Sequence, residues 1–541
     1  MPRREDRPGT GRGLQRRVVS GRHSESFGST RFLVPTAVGL VYLAFCLLLD
    51  TSTGAWRTPF LAFADEPSHF VGSVMFHDWL RSGRLLQPMA FARQYYEHYP
   101  YFAVGYWPPL FYAVAGVWFL LAGVGRWQAL IVPAVCAAGS AWLVFALVRR
   151  RAGAVAGFCA GLLYLSLPDV QQTTTTVMVE HVTTFLTLVV LFLSLRLLRQ
   201  PSLAGGIGCA LACAAAMLSK YSALYLCALP FALALFSRRL DLWRKPAFWL
   251  QPVIIAAVLG PWVWWTAPMA TYGLPPGHRL LNPAGSLFFL SELFYMFPEP
   301  LLVPVAIGLV ALLVLRSRCG DEELGTGLLA VMTLAFLVIS PVEADPRRLL
   351  PIGAAVLVLS IFGWTALLSR ASNGARRAAV ACLVTGTLAF SLVEWGRFSR
   401  PARYPVEELV KAVVGNPRWR GRRIMVPSNL EGPFIAEFAW LGSRNPAYQL
   451  VRPNKVFASQ GWFGNDYWSR VHSPEEMMAY LEQNPVSLLL WEDRPLTELR
   501  PHERVMCEML RKYPAVWRPV FDRSASASPE WTIFEYVPQR P

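Results

Sequence analysis

Asp65 and Glu66 are adjacent carboxylates in the stretch DEPSHFVGSVMFHDWLRSG, which follows the first apolar run of the sequence. Carboxylates at a membrane face are costly unless water solvates them or a function retains them. Such a group can take the proton of an attacking hydroxyl; the plain alternative is a solvated pair of loop acids. Glu180-His181 is the second acidic position and follows the polar stretch Asp169 to Thr176 (DVQQTTTT). Read structurally, Glu180 marks a helix start, where negative charge suits the dipole. Read functionally, it aims a carboxylate at the same outer pocket as Asp65. Glu180 with His181 is also compatible with a divalent cation, although one Glu-His pair is a weak metal signal and nothing in the sequence requires a metal or other cofactor.

Basic residues add a third feature: Arg126, Lys220 in Ser219-Lys220-Tyr221, His278 with Arg279, and Arg347-Arg348 in DPRRLLP. Any one of them reads as a snorkelling anchor at the end of a span. Several converging on one face suggest an anion. With carboxylates opposite, a lipid-linked phosphate is the natural candidate, because Arg and Lys donors neutralise phosphate oxygens.

The elements that must position these residues are membrane spans. The 541 residues are 54% hydrophobic and 16% charged, with mean hydropathy +0.35, which excludes a disordered chain and a single soluble domain. Apolar runs long enough to cross a hydrocarbon core recur from Phe32 to Trp395. The net charge of +16 would suggest nucleic acid in a soluble protein. Here the arginines crowd the first thirty residues and the short loops, so the excess reads as orientation by the positive-inside rule, with no nucleic-acid partner. The fold class expected is a polytopic α-helical membrane protein with a small C-terminal α/β domain.

About eleven spans are expected, at 32–49, 127–148, 152–168, 182–198, 203–219, 221–236, 247–267, 301–315, 325–340, 349–368 and 377–396. Placing the basic clusters inside makes 107–124 a juxtamembrane or re-entrant helix, started by Pro108-Pro109, within an outer loop 51–126. Residues 1–30 read as a basic, disordered cytoplasmic tail ahead of an uncleaved first span. Residues 397–541 read as a separate, water-exposed extracytoplasmic unit with strands at RIMVP (423–427) and PVSLLLW (485–491) and a helix at 474–482 capped by Ser473. Seven of the nine cysteines lie inside apolar runs and Cys507 is alone in the C-terminal unit, so no disulfide framework is expected.

The carboxylate pair after the first span, Tyr106-Trp107-Pro108-Pro109-Leu110, Gly123 to Arg126, the Ser-Lys-Tyr turn and Pro346 to Pro351 together resemble the GT-C glycosyltransferases. Within them the sequence is most similar to the protein O-mannosyltransferases and the lipid A aminoarabinose transferase, over about residues 32–395. The resemblance implies that Asp65 is the catalytic aspartate of the first outer loop, with Glu66 the acid that follows it. It puts Glu180 at a second acidic position and sets Lys220 and Arg347 near the lipid phosphate. Arg126, Arg348, Tyr221 and His181 complete the expected site. The sequence departs at Trp107, where relatives often carry His or Lys before the proline.

Chemistry and resemblance imply the same reaction. A sugar on polyprenyl phosphate already has a good leaving group, so one base suffices and a single displacement inverts the anomeric carbon. The expected partners are a polyprenyl-phosphate-linked sugar donor, a glycan, lipid or protein acceptor, and the bilayer, with a bacterial inner membrane as the location. A transporter or flippase for a lipid-linked sugar is the main rival reading, but the sequence shows no inverted repeat, and its charges gather at one mouth of the spans. An accessory protein, with tail aromatics such as Trp440, Trp462 and Trp468 as a contact surface, is the other.

Overall fold

The computed structural model describes residues 30–538 except 59, 61–62, 104, 268–282, 298, 316–319, 341–343, 395–405, 428, 443–447, 461–465 and 523–530. The expected tail at 1–29, the pair His278 and Arg279, and Trp462 lie outside the described residues.

A backbone in hydrocarbon must satisfy its hydrogen bonds within its own segment, so the apolar runs become helices. The first span is α1 (Thr30–Thr53), and the outer loop then forms α2 (Glu66–Arg81), α3 (Pro88–His98) and α4 (Leu110–Ala122). Next come α5 (Arg126–Ala152), α6 (Ala154–Leu165), α7 (Pro168–Thr174), α8 (Glu180–Arg199), α9 (Leu203–Ser219), α10 (Leu229–Phe236) and α11 (Pro246–Thr266). The membrane body ends with α12 (Pro283–Tyr295), α13 (Glu299–Val314), α14 (Asp321–Ile339), α15 (Leu350–Leu367) and α16 (Asn373–Glu394). Every apolar segment expected from the sequence falls on one or two of these helices. Among the described residues, six stretches are long and apolar enough to cross a bilayer alone; others, such as α9 and α13, are shorter apolar helices. The chain is a multi-pass membrane protein.

Three differences from the sequence reading are instructive. The segment expected to span 152–168 stops at Leu165, and the chain bends by 67° into α7. Pro168 cannot donate to α6, so the helix must restart; Thr173 and Thr174 then bond to the carbonyls of Asp169 and Val170, both at 2.6 Å, which lets a polar stretch be helical and buried. The segment 221–236 opens as 3-10 turns over Tyr221–Ala228 before α10. Residues 267–300, between two of the expected spans, contain α12. Close approach of the spans rests on glycine: a Cβ on Gly363 of α15 would overlap the Gly308 carbonyl of α13.

The α4 helix has 13 residues and is about 20 Å long, too short for the ~30 Å hydrocarbon core. One face packs on α2 and α5, and the other leaves Val114, Val117 and Leu121 exposed.

From α17 (Val406–Val414) onward the chain mixes helices and strands. A five-stranded sheet has the order β2-β1-β5-β7-β6, built from β1 (Arg423–Met425), β2 (Gln449–Val451), β5 (Leu488–Glu492), β6 (Trp517–Asp522) and β7 (Trp531–Tyr536). β1 is parallel to β2 and β5, while β7 is antiparallel to β5 and β6. The short strands β3 (Ala458–Ser459) and β4 (Trp468–Ser469) pair apart from it. All five residues of β5 (LLLWE) are buried, as suits a central strand covered on both faces by α18 (Glu431–Leu441), α19 (Pro453–Val456), α20 (Pro474–Gln483) and α21 (Pro501–Lys512). Ser473 caps α20 by accepting from the Glu476 N–H.

This region packs closely against the outer loop. Phe70, Tyr95, Phe111 and Phe119 of the outer loop share one hydrophobic cluster with Val410, Phe434, Leu488 and Trp531. Polar ties reinforce it: Arg452, ion-paired to Glu431 at 2.7 Å, donates to the Pro100 carbonyl at 3.0 Å, and His98 meets the Tyr448 carbonyl at 3.0 Å. The loop helices are too short to bury their own aromatic faces, and the sheet domain covers them.

Candidate active site

Four separate segments converge on one cavity with about 700 Å³ of non-protein space. Asp65 immediately precedes α2, Glu180 opens α8, and Lys220 follows the last residue of α9. The fourth segment is the 3-10 turn Pro346–Leu349, which carries Arg347 and Arg348 to the start of α15. Asp345 caps that turn, its side chain accepting from the Arg347 N–H at 3.0 Å, and Pro346 suits the first position of the turn because it has no N–H to leave unpaired.

The electrostatics are those of a balanced cluster. Lys220 Nζ lies 2.7 Å from Glu180 Oε1. The Arg347 guanidinium forks onto Asp345 through Nε, at 2.9 and 2.8 Å, and through Nη2. Its remaining edge faces Asp65 at 3.8 Å and Glu180 at 4.0 Å, and its plane covers the Phe63 ring at 4.2 Å. Arg347 is therefore shared among three carboxylates. Arg348 lines the cavity too, and among the described residues no carboxylate stands within ion-pair distance of it. Burial raises the Asp65 pKa, Arg347 pulls it down, and the Glu180 charge pushes it up again. Asp65 is thus a stronger base than an ordinary aspartate, with its side chain still 38% exposed to the cavity.

The structure adds residues that the sequence reading missed. His69 is buried one turn beyond Asp65, its Nδ1 3.0 Å from the Tyr112 hydroxyl and its ring 4.7 Å from that of Trp107. Burial pushes its pKa down to about 3, which favours the neutral imidazole. Its i, i+4 spacing from Asp65 was a usable signal, and Asp345 stands in the quoted DPRRLLP motif; Tyr112 carried none. Trp107, where the sequence departs from its resemblance, supplies a wall of the cavity in place of a charge.

Four expected site residues lie elsewhere. Glu66 is buried and accepts the Val177 N–H at 2.9 Å, fastening α2 to the turn before α8. Consecutive helical residues point about 100° apart, so Asp65 and Glu66 cannot share a target. The same geometry separates His181 from Glu180: its Nε2 meets Thr173 Oγ1 at 2.9 Å and Thr174 Oγ1 at 3.0 Å. The two side chains do not form a chelate, and among the described residues no three metal-ligating side chains cluster. Tyr221 accepts from Trp262 Nε1 at 2.7 Å and braces α11 against the turn after Lys220.

Arg126 is the clearest correction. At the start of α5 it is buried between Glu407, at 3.0 Å, and Glu437, which it contacts directly, with its plane near the Trp440 ring. It belongs to the junction with the sheet domain, because two carboxylates of α17 and α18 already neutralise it. Removing one partner of a buried pair leaves an uncompensated charge, at a cost of about 3–5 kcal/mol. We expect Arg126→Ala to lower the thermal unfolding midpoint of detergent-purified protein, and the double variant Arg126→Leu with Glu437→Leu to recover most of the loss. An unchanged midpoint in the single variant would refute the clamp.

Beside the charged cavity lies an apolar one with about 710 Å³ of non-protein space, walled by Met75, Phe76, Phe102, Trp262 and Trp265. Trp107 and Tyr112 line both cavities. Charged groups at one end and an apolar slot beside them suit an amphiphile with an anionic head.

The chain is similar to proteins of known family and structure. Residues 107–265 match the family model described as dolichyl-phosphate-mannose-protein mannosyltransferase. No curated protein sequence matches the chain. Among solved structures, ArnT from Cupriavidus metallidurans bound to undecaprenyl phosphate superposes with a TM-score of 0.55 at 14% identity, covering 95% of this chain and 100% of that one. The oligosaccharyltransferase AglB from Archaeoglobus fulgidus, in complex with an inhibitory peptide and a dolichol-phosphate, gives 0.53 at 10% identity, covering 84% of this chain and 69% of that one. These superpositions lead to one conclusion: the chain shares the fold of ArnT and AglB.

Proposed function

We propose that the protein transfers a sugar from a polyprenyl-phosphate donor to an acceptor hydroxyl, with inversion, using Asp65 as general base. The observation that carries this reading is the convergence of Asp65, Glu180, Lys220 and Arg347, from four distant segments, on one cavity beside an apolar slot. Asp65 takes the hydroxyl proton while the acceptor oxygen forms its bond to the anomeric carbon. The bond from that carbon to the phosphate oxygen breaks, and polyprenyl phosphate leaves with the electron pair. Arg347, Arg348 and Lys220 stabilise the negative charge that develops there. Phosphate already leaves readily, so no carboxylic acid need protonate it, in contrast to glycoside hydrolysis. The isoprenoid lies in the apolar slot by this reading, in keeping with the undecaprenyl phosphate named for ArnT and the dolichol-phosphate named for AglB.

The direct test supplies purified protein with polyprenyl-phosphate sugars and a panel of glycan, lipid and peptide acceptors. Release of polyprenyl phosphate only when an acceptor is present supports the reading, and no release across the panel counts against it.

We further propose that the cavity and the sheet domain face the extracytoplasmic side of a bacterial inner membrane. Leu86, exposed in the outer loop, and Asp241, exposed between α10 and α11, then stand on opposite sides. In a background lacking the native cysteines, Leu86→Cys is expected to react with an impermeant maleimide on intact spheroplasts, and Asp241→Cys only after lysis. Labelling of both on intact spheroplasts would break the orientation.

A further inference from the structure

A second charged cavity lies at the opposite end of the helices. Arg347 precedes α15 and Ser369 follows it, and the 18 residues of that helix span about 27 Å, close to the ~30 Å hydrocarbon core. The two cavities therefore stand at opposite headgroup levels. This one encloses about 640 Å³ of non-protein space between Arg151 of α5, Leu312 and Leu315 at the end of α13, Glu323 of α14, Ser369 and Arg376 of α16.

Its charges are unevenly matched. Asp321, Glu322 and Glu323 open α14, and Arg199, Arg150 and Arg151 answer them at 2.7 to 3.4 Å. The Glu323 carboxylate would repel an anion, but Arg151 holds it at 3.0 Å and the Gly320 N–H at 2.8 Å. Arg376 donates through Nη2 to Asn373 at 2.7 Å, and among the described residues no carboxylate lies within ion-pair distance of it. Its Nε and the Ser369 hydroxyl are buried, with no hydrogen-bond partner among the described residues. Buried donors are seldom left so, and the Ser369 hydroxyl beside the unneutralised Arg376 guanidinium defines a place for acceptor oxygens.

The surroundings identify what carries those oxygens. Leu313 and Val314, next to the wall residues Leu312 and Leu315, are each 76% exposed on a membrane helix and so face lipid. An anion seated here has hydrocarbon beside it. We propose that this cavity binds the phosphodiester headgroup of an anionic phospholipid through Arg376 and Ser369, in the leaflet opposite the Asp65 cavity. The acyl chains lie along Leu313 and Val314. The inference does not depend on sugar transfer, since it concerns other residues at the other membrane face.

The test uses full-length protein purified in a mild detergent. Native mass spectrometry and thermal unfolding are recorded with phosphatidylglycerol, with chain-matched phosphatidylcholine and with inorganic phosphate. One phosphatidylglycerol is expected to be retained about ten-fold more tightly than phosphatidylcholine, as for a charge-assisted contact. Arg376→Ala should abolish that preference, Ser369→Ala should weaken it, and Arg518→Ala, an exposed position on β6, should leave it intact. Should Arg376→Ala fail to fold, Ser369→Ala and the wild-type lipid preference still decide. Equal retention of both lipids, or a preference unchanged in the variants, overturns the site; inorganic phosphate stabilising as well as phosphatidylglycerol overturns the lipid as its source.

Discussion

Asp65→Asn is expected to lower acceptor-dependent release of polyprenyl phosphate by about 10²- to 10⁴-fold, the usual contribution of a positioned general base. Donor binding should persist, because the cations that face the phosphate are untouched. The substitution nearly preserves volume and keeps a polar group 3.8 Å from Arg347. Its effect on stability has a definite sign. Burial raises the folded pKa of Asp65 above its unfolded value, about 3.9. Between those two values the folded state binds more protons than the unfolded one, so stability falls as pH rises through that window. Above that window the ionised carboxylate costs some stability, a cost that solvent at its 38% exposed side chain reduces, and Asn removes it. A thermal midpoint equal to or above wild type, together with collapsed turnover, is the expected pair of results. Turnover within a few-fold of wild type would remove Asp65 from the mechanism.

That a residue both costs stability and lines a cavity helps explain what the sequence made legible. Spans are set by a one-dimensional property, the length of an apolar run, so the helices from Phe32 onward could be read directly. Glu180, Lys220 and Arg347 could be read because each interrupts such a pattern at a span end, and Asp65 because it stands in an acidic pair in the loop after the first span, where a charge needs a reason. The direction in which a charge points is a matter of helix phase and partner surface. Glu66 and His181, adjacent to Asp65 and Glu180, turn away by one helical step. Arg126 had the same signature as Lys220, a cation at a span end, yet Glu407 and Glu437 meet it from more than 280 residues away. No local pattern announces such a partner. The shared core of the outer loop and the sheet domain was hidden for the same reason: alternation within each segment shows that a face is apolar and says nothing about what covers it.

Arg347 is the residue on which the charge pattern of the cavity turns, and its removal is the second large effect expected. Losing one preorganised donor to a developing oxyanion costs about 10²- to 10³-fold in turnover. Arg347→Lys should not rescue fully, since an ammonium cannot fork onto Asp345 and still face Asp65 and Glu180. A loss of activity alone would also follow from local collapse, so the pH profile is the sharper measurement. Arg347 lowers the Asp65 pKa and Glu180 raises it. The base works only when deprotonated, so activity falls as pH drops through the Asp65 pKa. Arg347→Ala removes the lowering charge, and the acid limb of the residual activity should move to higher pH. Glu180→Gln removes a raising charge, and the acid limb should move to lower pH. Collapse of the cavity would change solvent exposure in the same sense for both variants and could not produce opposite displacements. Shifts in one direction, or none, would separate the titrating group from this cluster and with it the assignment of the base.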